Sequence, residues 1–232
     1  MALYTLSDTH LSFQTAKPMD IFGSRWQNHA DKIANNWNTL ITPEDTVVIP
    51  GDITWAMTLD EATEDFRFLS SLPGKKIIGK GNHDYWWQTR KKVEDFFAQN
   101  QFNNIILLYG DAYRVEDKII CGTRGWYNDG ISPRNCDYQK IVLREAGRLK
   151  RSLEAGKALG EGELIAFLHF PPVFGDFICR EHLDILHSFE VKRVYYGHIH
   201  GVYNIPPRFA FEGIHFTLVS ADYLNFVPLR VF

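Results

Sequence analysis

The sequence predicts an α/β fold in which helices cover a sheet. Short apolar runs alternate with stretches of helical periodicity. Five of those runs end in Asp, Asn or His, often beside a Gly, and ligands of open α/β sheets sit just beyond the carboxyl ends of strands. The chain of 232 residues is 45% hydrophobic and 14% aromatic, which excludes disorder as its main state.

The first run, residues 2–6, leads into Ser7-Asp8-Thr9-His10. Residues 20–40 place Ile33, Trp37, Leu40 and Ile41 on a buried helical stripe. Residues 46–50 form the second run and lead into Gly51-Asp52. A helix is expected over 59–72, opening with Asp60 and Glu61 and stopping at Pro73-Gly74. The third run, 76–78, enters Gly79-Lys80-Gly81-Asn82-His83-Asp84. Another run at 118–121 precedes a Gly/Pro/Asn-rich loop at 123–137, expected at the rim of a site. A helix over 138–159 sets Val142, Ala146, Leu149 and Leu153 on one face and Lys140, Arg144, Arg148 and Arg151 on the other; that cationic face is either solvated or meets an anionic partner. Residues 164–168 end in His169, and residues 194–196 end in Gly197-His198-Ile199-His200. Residues 215–231 are rich in β-formers and would supply closing strands.

Composition narrows the function. Lys and Arg number 25 against 28 Asp and Glu, a formal charge of −3, which disfavours a protein that wraps nucleic acid. Cys121, Cys136 and Cys179 are odd in number and widely spaced, so a disulfide framework is not expected. No leader-like segment and no run of 18 apolar residues is found. A single cytoplasmic domain over 1–232 is the expectation, with no membrane partner.

Asp8 and His10 are two apart, so an extended chain would point both the same way. Gly81-Asn82-His83-Asp84 packs a neutral oxygen, an imidazole and a carboxylate into one turn, where a carboxylate after a His can orient the ring. His198 and His200 again share a side of an extended stretch. Gly110-Asp111 also follows an apolar run and is read as a turn. His29, His182, His187 and His215 lack a partner block and are read as structural or surface residues.

Taken in order, D-x-H, G-D, G-N-H-D, H and G-H-x-H over positions 8–200 resemble the calcineurin-like metallophosphoesterase superfamily. The resemblance implies a four-layer α/β/β/α sandwich with two mixed β-sheets. It also implies a two-metal site: Asp8, His10 and His200 for one ion, Asn82, His169 and His198 for the other, and Asp52 shared. Imidazole and carboxylate together suit manganese, iron, zinc, nickel or cobalt better than calcium or magnesium. Two dications, two carboxylates and a bridging hydroxide leave a net positive site that attracts a phosphate ester. The hydroxide would attack phosphorus, and His83 would serve the leaving oxygen with Asp84 orienting it.

Departures from the family pattern narrow the branch. The second block reads Gly51-Asp52-Ile53-Thr54-Trp55, with Trp where many relatives carry a second Asp. His169-Phe170-Pro171-Pro172 keeps the first His of H-H-P-P and lacks the second. The first block, Asp8-Thr9-His10-Leu11, resembles the D-x-H-L style of bacterial phosphodiesterases and nucleotide-sugar hydrolases, and a small phosphodiester or nucleotide-like substrate is expected. Arg124, Trp86 and Trp126 are the candidate substrate contacts. Trp55 and Trp87 are weighed with them, as stacking platforms or core residues. The alternatives are a phosphomonoesterase on the same site, phosphoproteins included, a nuclease, and a non-catalytic metal-binding scaffold.

Overall fold

The computed structural model describes residues 1–126 and 137–232. The expected 123–137 loop and Cys136 therefore lie largely outside the described residues. Strands β1 (Leu3–Thr5), β2 (Thr46–Ile49), β3 (Lys75–Ile78) and β4 (Ile105–Leu107) pair in parallel in that order. The second sheet contains β5 (Tyr113–Val115), β6 (Lys118–Thr123), β7 (Glu163–Leu168), β10 (Arg193–Tyr196), β11 (Arg208–Phe211) and β12 (Ile214–Leu218). Its order is β11-β12-β10-β7-β6-β5, parallel at the centre and antiparallel at both edges. A short hairpin, β8 (Val173–Phe174) with β9 (Phe177–Ile178), follows β7. Strand β13 (Leu229–Arg230) closes the first sheet antiparallel to β1.

Three cores separate four layers. Leu3, Val48 and Ile77 of the first sheet meet Ile120, Ile165, Phe167 and Tyr195 of the second. The alternate residues Tyr4, Val47, Ile49 and Ile78 face the other way, onto α1 (His29–Leu40), α2 (Thr63–Ser71) and α3 (Arg90–Gln99). Ile119, Cys121, Ala166, Val194 and Tyr196 likewise face α4 (Tyr138–Ala158) and α5 (Arg180–Ser188). Strands buried on both faces explain why the sequence shows unbroken apolar runs rather than alternation. The fold is the expected α/β/β/α sandwich with two mixed sheets.

Local differences have local causes. The helix expected over 20–40 starts only at His29, because Gly23 (φ 126°) and left-handed Asn28 (φ 52°) break the chain into two 3₁₀ turns first. Helix α3 was not expected, although Val93, Phe96 and Phe97 carry its buried stripe. Asp111 holds a turn, accepting from the Tyr109 N–H at 2.8 Å and pairing with Arg90 at 2.6 Å.

Lys76 on β3 is fully buried, and its Nζ donates to the carbonyls of Gly74 (2.9 Å) and Leu72. Burial pulls its ammonium down to about 7. Below that pH the charge is present in both folded and unfolded chains. Between about pH 7 and pH 10 the folded chain has shed a proton that the unfolded chain still holds, so stability rises with pH across this window. Urea melts across that range should show the rise in the wild type and its loss in Lys76→Met, a difference of a few kcal/mol at most. Parallel curves would mean that Lys76 stays charged.

Candidate metal centre

Asp8 follows β1, Asp52 follows β2, Asn82 and His83 follow β3, His169 follows β7, and His198 and His200 follow β10. Short bridges tie the loops that carry them: Ser7 to Ser220, and Leu11 to Thr54. All seven candidate ligands meet at this end of the two sheets.

Ligand atoms of Asp8, His10 and His200 lie within 4.8 Å of one another, and so do those of Asp8, Asp52 and His169. His10 Nε2 and His200 Nε2 are 3.3 Å apart, and His200 Nε2 is 3.3 Å from Asp8 Oδ1. Asn82 Oδ1 lies 2.7 Å from His169 Nε2 and 3.0 Å from His198 Nδ1. Asp52 Oδ2 stands between the halves, 3.7 Å from His10 Nε2 and 3.5 Å from His169 Nε2. Asp8 is also close to both halves, its Oδ1 lying 3.8 Å from His169 Nδ1.

The convergence is not that of extended chain. Asp8 (φ 60°), His10 (φ 44°), Asp52 (φ 51°) and His198 (φ 69°) all adopt left-handed backbone, which costs roughly 1–3 kcal/mol each. The expectation that D-x-H and H-x-H align along strands is corrected: left-handed turns beyond the strand ends bring these side chains together. Backbone hydrogen bonds hold the turns, from Asp8 N–H to the Gly51 carbonyl and from His10 N–H to the Asp52 carbonyl, both 3.0 Å. Two glycines are required by close approach. A Cβ on Gly81 would overlap the Asp52 carboxylate and amide, and one on Gly197 would overlap the Asp8 carboxylate.

Electrostatics fit the binding of cations. Burial, then the charges of Asp8 and Asp84, push the Asp52 carboxyl well above its ordinary value. Burial, then the neighbouring imidazoles, push His10 and His169 well below theirs. His200 is the exception: burial would lower it, but Asp8 and Asp222 raise it to about 10. Buried Nδ1 atoms of His10 and His169 have no hydrogen-bond partner. Crowded carboxylates and facing imidazole nitrogens are the donor set that transition-metal dications satisfy, and these residues could hold two of them.

Asp84 is corrected. Its carboxylate accepts the backbone N–H groups of Asp52 (2.9 Å), Ile53 (2.9 Å) and Gly81 (2.7 Å) and the Trp86 Nε1–H (3.0 Å). It braces the Asp52 and Asn82 loops, and among the described residues it makes no hydrogen bond or ion pair with the His83 ring. That ring instead has its Nδ1 3.3 Å from the Tyr85 hydroxyl. Trp86 is corrected as well: it is fully buried, edge-on to Phe66 at 4.9 Å, and so offers no open face. Trp126 packs on Phe170 at 5.5 Å, and Phe170 packs on His198 at 4.4 Å. Arg124 pairs with buried Glu145 at 3.4 Å in a separate basic cavity.

Asp222 was missed. It accepts from Gly201 N–H and the Tyr203 hydroxyl (both 3.0 Å) and lies 2.9 Å from His200 Nδ1, which fixes that ring. It follows β12, so the strand-end rule that found the other residues would have found it. Also missed was Trp26, which with Met19, Phe22, Trp55 and Tyr203 forms an apolar cavity of about 310 Å³ opening on His10, His83 and His200. Trp55 stacks on His10 at 4.9 Å and approaches His83 at 4.3 Å.

Among the described residues no helix is long and apolar enough to cross a membrane. Solved structures with the same fold include a protein of unknown function from Aquifex aeolicus (19% identity, TM-score 0.51, covering 99% of this chain and 95% of that one). Another is a phosphopantetheinyl hydrolase from Mycobacterium tuberculosis (14% identity, TM-score 0.56, covering 100% and 95%). At these identities the likeness concerns the fold. No functionally curated protein gives a significant match. Residues 1–202 match the model of the calcineurin-like phosphoesterases, so this strand-end cluster belongs to a member of that family, a metal-dependent phosphohydrolase.

Proposed function

We propose that the protein hydrolyses a small phosphodiester or nucleotide-like phosphate ester at a two-metal centre. The position of Asp52 Oδ2, facing His10 on one side and His169 on the other, carries this reading. Asp8, His10 and His200 would hold one ion, Asn82, His169 and His198 the other, and Asp52 both. Such ions, manganese, iron, zinc, nickel or cobalt, supply Lewis acidity and lower the pKa of water.

The chain's own residues do the rest. Asp222 fixes the His200 ring, and Asp84 fixes the backbone that carries Asp52 and Asn82. In its protonated form the His83 ring would donate Nδ1–H to the Tyr85 hydroxyl oxygen and pass its Nε2 proton to the leaving oxygen, ending as neutral imidazole. The Trp26–Trp55 cavity beside His83 suits an apolar or aromatic leaving group, with stacking worth ~1–3 kcal/mol per base.

The test is an ester panel on chelated and manganese-reloaded protein. Chelation should abolish hydrolysis and manganese restore it, with thymidine 5′-(4-nitrophenyl phosphate) preferred over 4-nitrophenyl phosphate in kcat/KM by about tenfold or more. A preference for the monoester would overturn the diester reading. Activity unaffected by chelation would overturn the metal centre.

A further inference from the structure

The basic cavity around Arg124 has no role in the mechanism above. It measures about 150 Å³, several times the ~30 Å³ share of a water in the liquid. Lys80, Arg124, Arg148 and Arg151 line it against the single carboxylate of Glu145. That carboxylate is fully buried and already engaged, by Arg148 at 2.6 Å, Arg124 at 3.4 Å and the Thr123 hydroxyl at 3.0 Å.

The remaining cations, half-buried Lys80 and exposed Arg151, have no direct partner among the described residues. Among the described residues, neither the Lys80 ammonium nor the Arg151 guanidinium has a hydrogen-bond or ion-pair partner. The Nε of Arg124 is buried without one. Clustered cations repel one another, and a doubly charged oxyanion relieves that repulsion through charge-assisted hydrogen bonds.

The chain path sets the cavity beside the metal centre. Lys80 is two residues before Asn82, and the Arg124 carbonyl accepts from the Phe170 N–H at 2.8 Å, next to His169. The basic cavity therefore adjoins the Asn82–His169 half, while the aromatic cavity opens on the His10–His200 half.

We propose that this cavity is a second phosphoryl-binding site, which takes a phosphate group other than the one hydrolysed. That group is either a second phosphate of the substrate or free inorganic phosphate. The substrate form rests on the phosphoesterase reading above; the binding itself does not.

Two measurements test it. Inorganic phosphate is titrated calorimetrically into the full chain in excess EDTA, so that no ion at Asp52 contributes. Binding is expected in the wild type, weakened about tenfold or more in both Lys80→Gln and Arg151→Gln. Arg148 is left intact because it holds Glu145. No binding by the wild type, or equal binding by both variants, overturns the proposal. With manganese restored, thymidine 5′-(4-nitrophenyl phosphate) is compared with its 3′-phosphorylated form. A kcat/KM advantage of the 3′-phosphate that collapses toward unity in both variants assigns the site to the substrate. Phosphate binding in EDTA without that advantage assigns it to free phosphate. Phosphate binding with neither ester hydrolysed sinks the phosphoesterase reading and leaves the site standing.

Discussion

Asp52→Asn is expected to lose metal and turnover while the metal-free chain becomes more stable. Its Oδ2 faces imidazoles of both halves, so an amide there weakens both proposed ion sites at once. Losing Lewis-acid stabilisation of several kcal/mol corresponds to a fall of about a thousandfold or more in kcat/KM. Stability moves the other way because Asp52 is buried beside Asp8 and Asp84, and neutralising it relieves repulsion among three carboxylates. The Asn side-chain oxygen can still accept the His83 N–H that Asp52 Oδ1 accepts at 2.8 Å. Metal analysis and thermal melts with and without manganese check this. Manganese should raise the melting temperature of the wild type and leave that of the variant unchanged. A variant that keeps both ions and full turnover would remove the basis of the two-metal reading.

His83→Ala is expected to do the reverse, keeping metal and losing catalysis. The ring lies between Trp55 and Tyr85 and faces the aromatic cavity; its backbone N–H donates to Asp52, and the ring approaches that of His10 at 5.7 Å without being one of the proposed ligands. A positioned proton donor contributes about 10²–10⁴-fold, and that loss is expected in kcat for an ester with an alkyl leaving group. For a 4-nitrophenyl ester, whose leaving oxygen needs little help, the loss should shrink markedly. The ratio of the two losses is the diagnostic quantity. Equal losses on both esters would mean that His83 shapes the site without serving the leaving oxygen.

The parts of the site that were legible in the sequence are those that depend on strand ends. Asp8, Asp52, Asn82, His169 and His198 each follow an apolar run, and the parallel sheets collect such positions at one edge. Asp222 obeys the same rule and was overlooked because the C-terminal run was read only as closing strands. Asp84 and Trp86 were misread for a shared reason. Sequence adjacency to His83 suggested a common task, whereas Asp84 turns inward to three backbone amides and draws the Trp86 indole after it. Trp26 could not be read at all, since only the 3₁₀ turns on either side of Gly23 bring it to His200, 5.7 Å between rings. The layers were legible through the family resemblance; the edge strands β5, β8, β9 and β11, two to four residues each, are too short to leave a periodic trace.

The left-handed turns decide which positions of the centre an engineer can edit. Asp and His are among the few non-glycine residues enriched in that region of backbone space, so positions 8, 10, 52 and 198 admit a narrow alphabet on steric grounds before any ion is considered. Asn82, His169 and His200 carry no such restriction, but the His200 ring is already fixed by Asp222. Attempts to retune the enzyme toward softer or harder ions should therefore begin at Asn82 and His169.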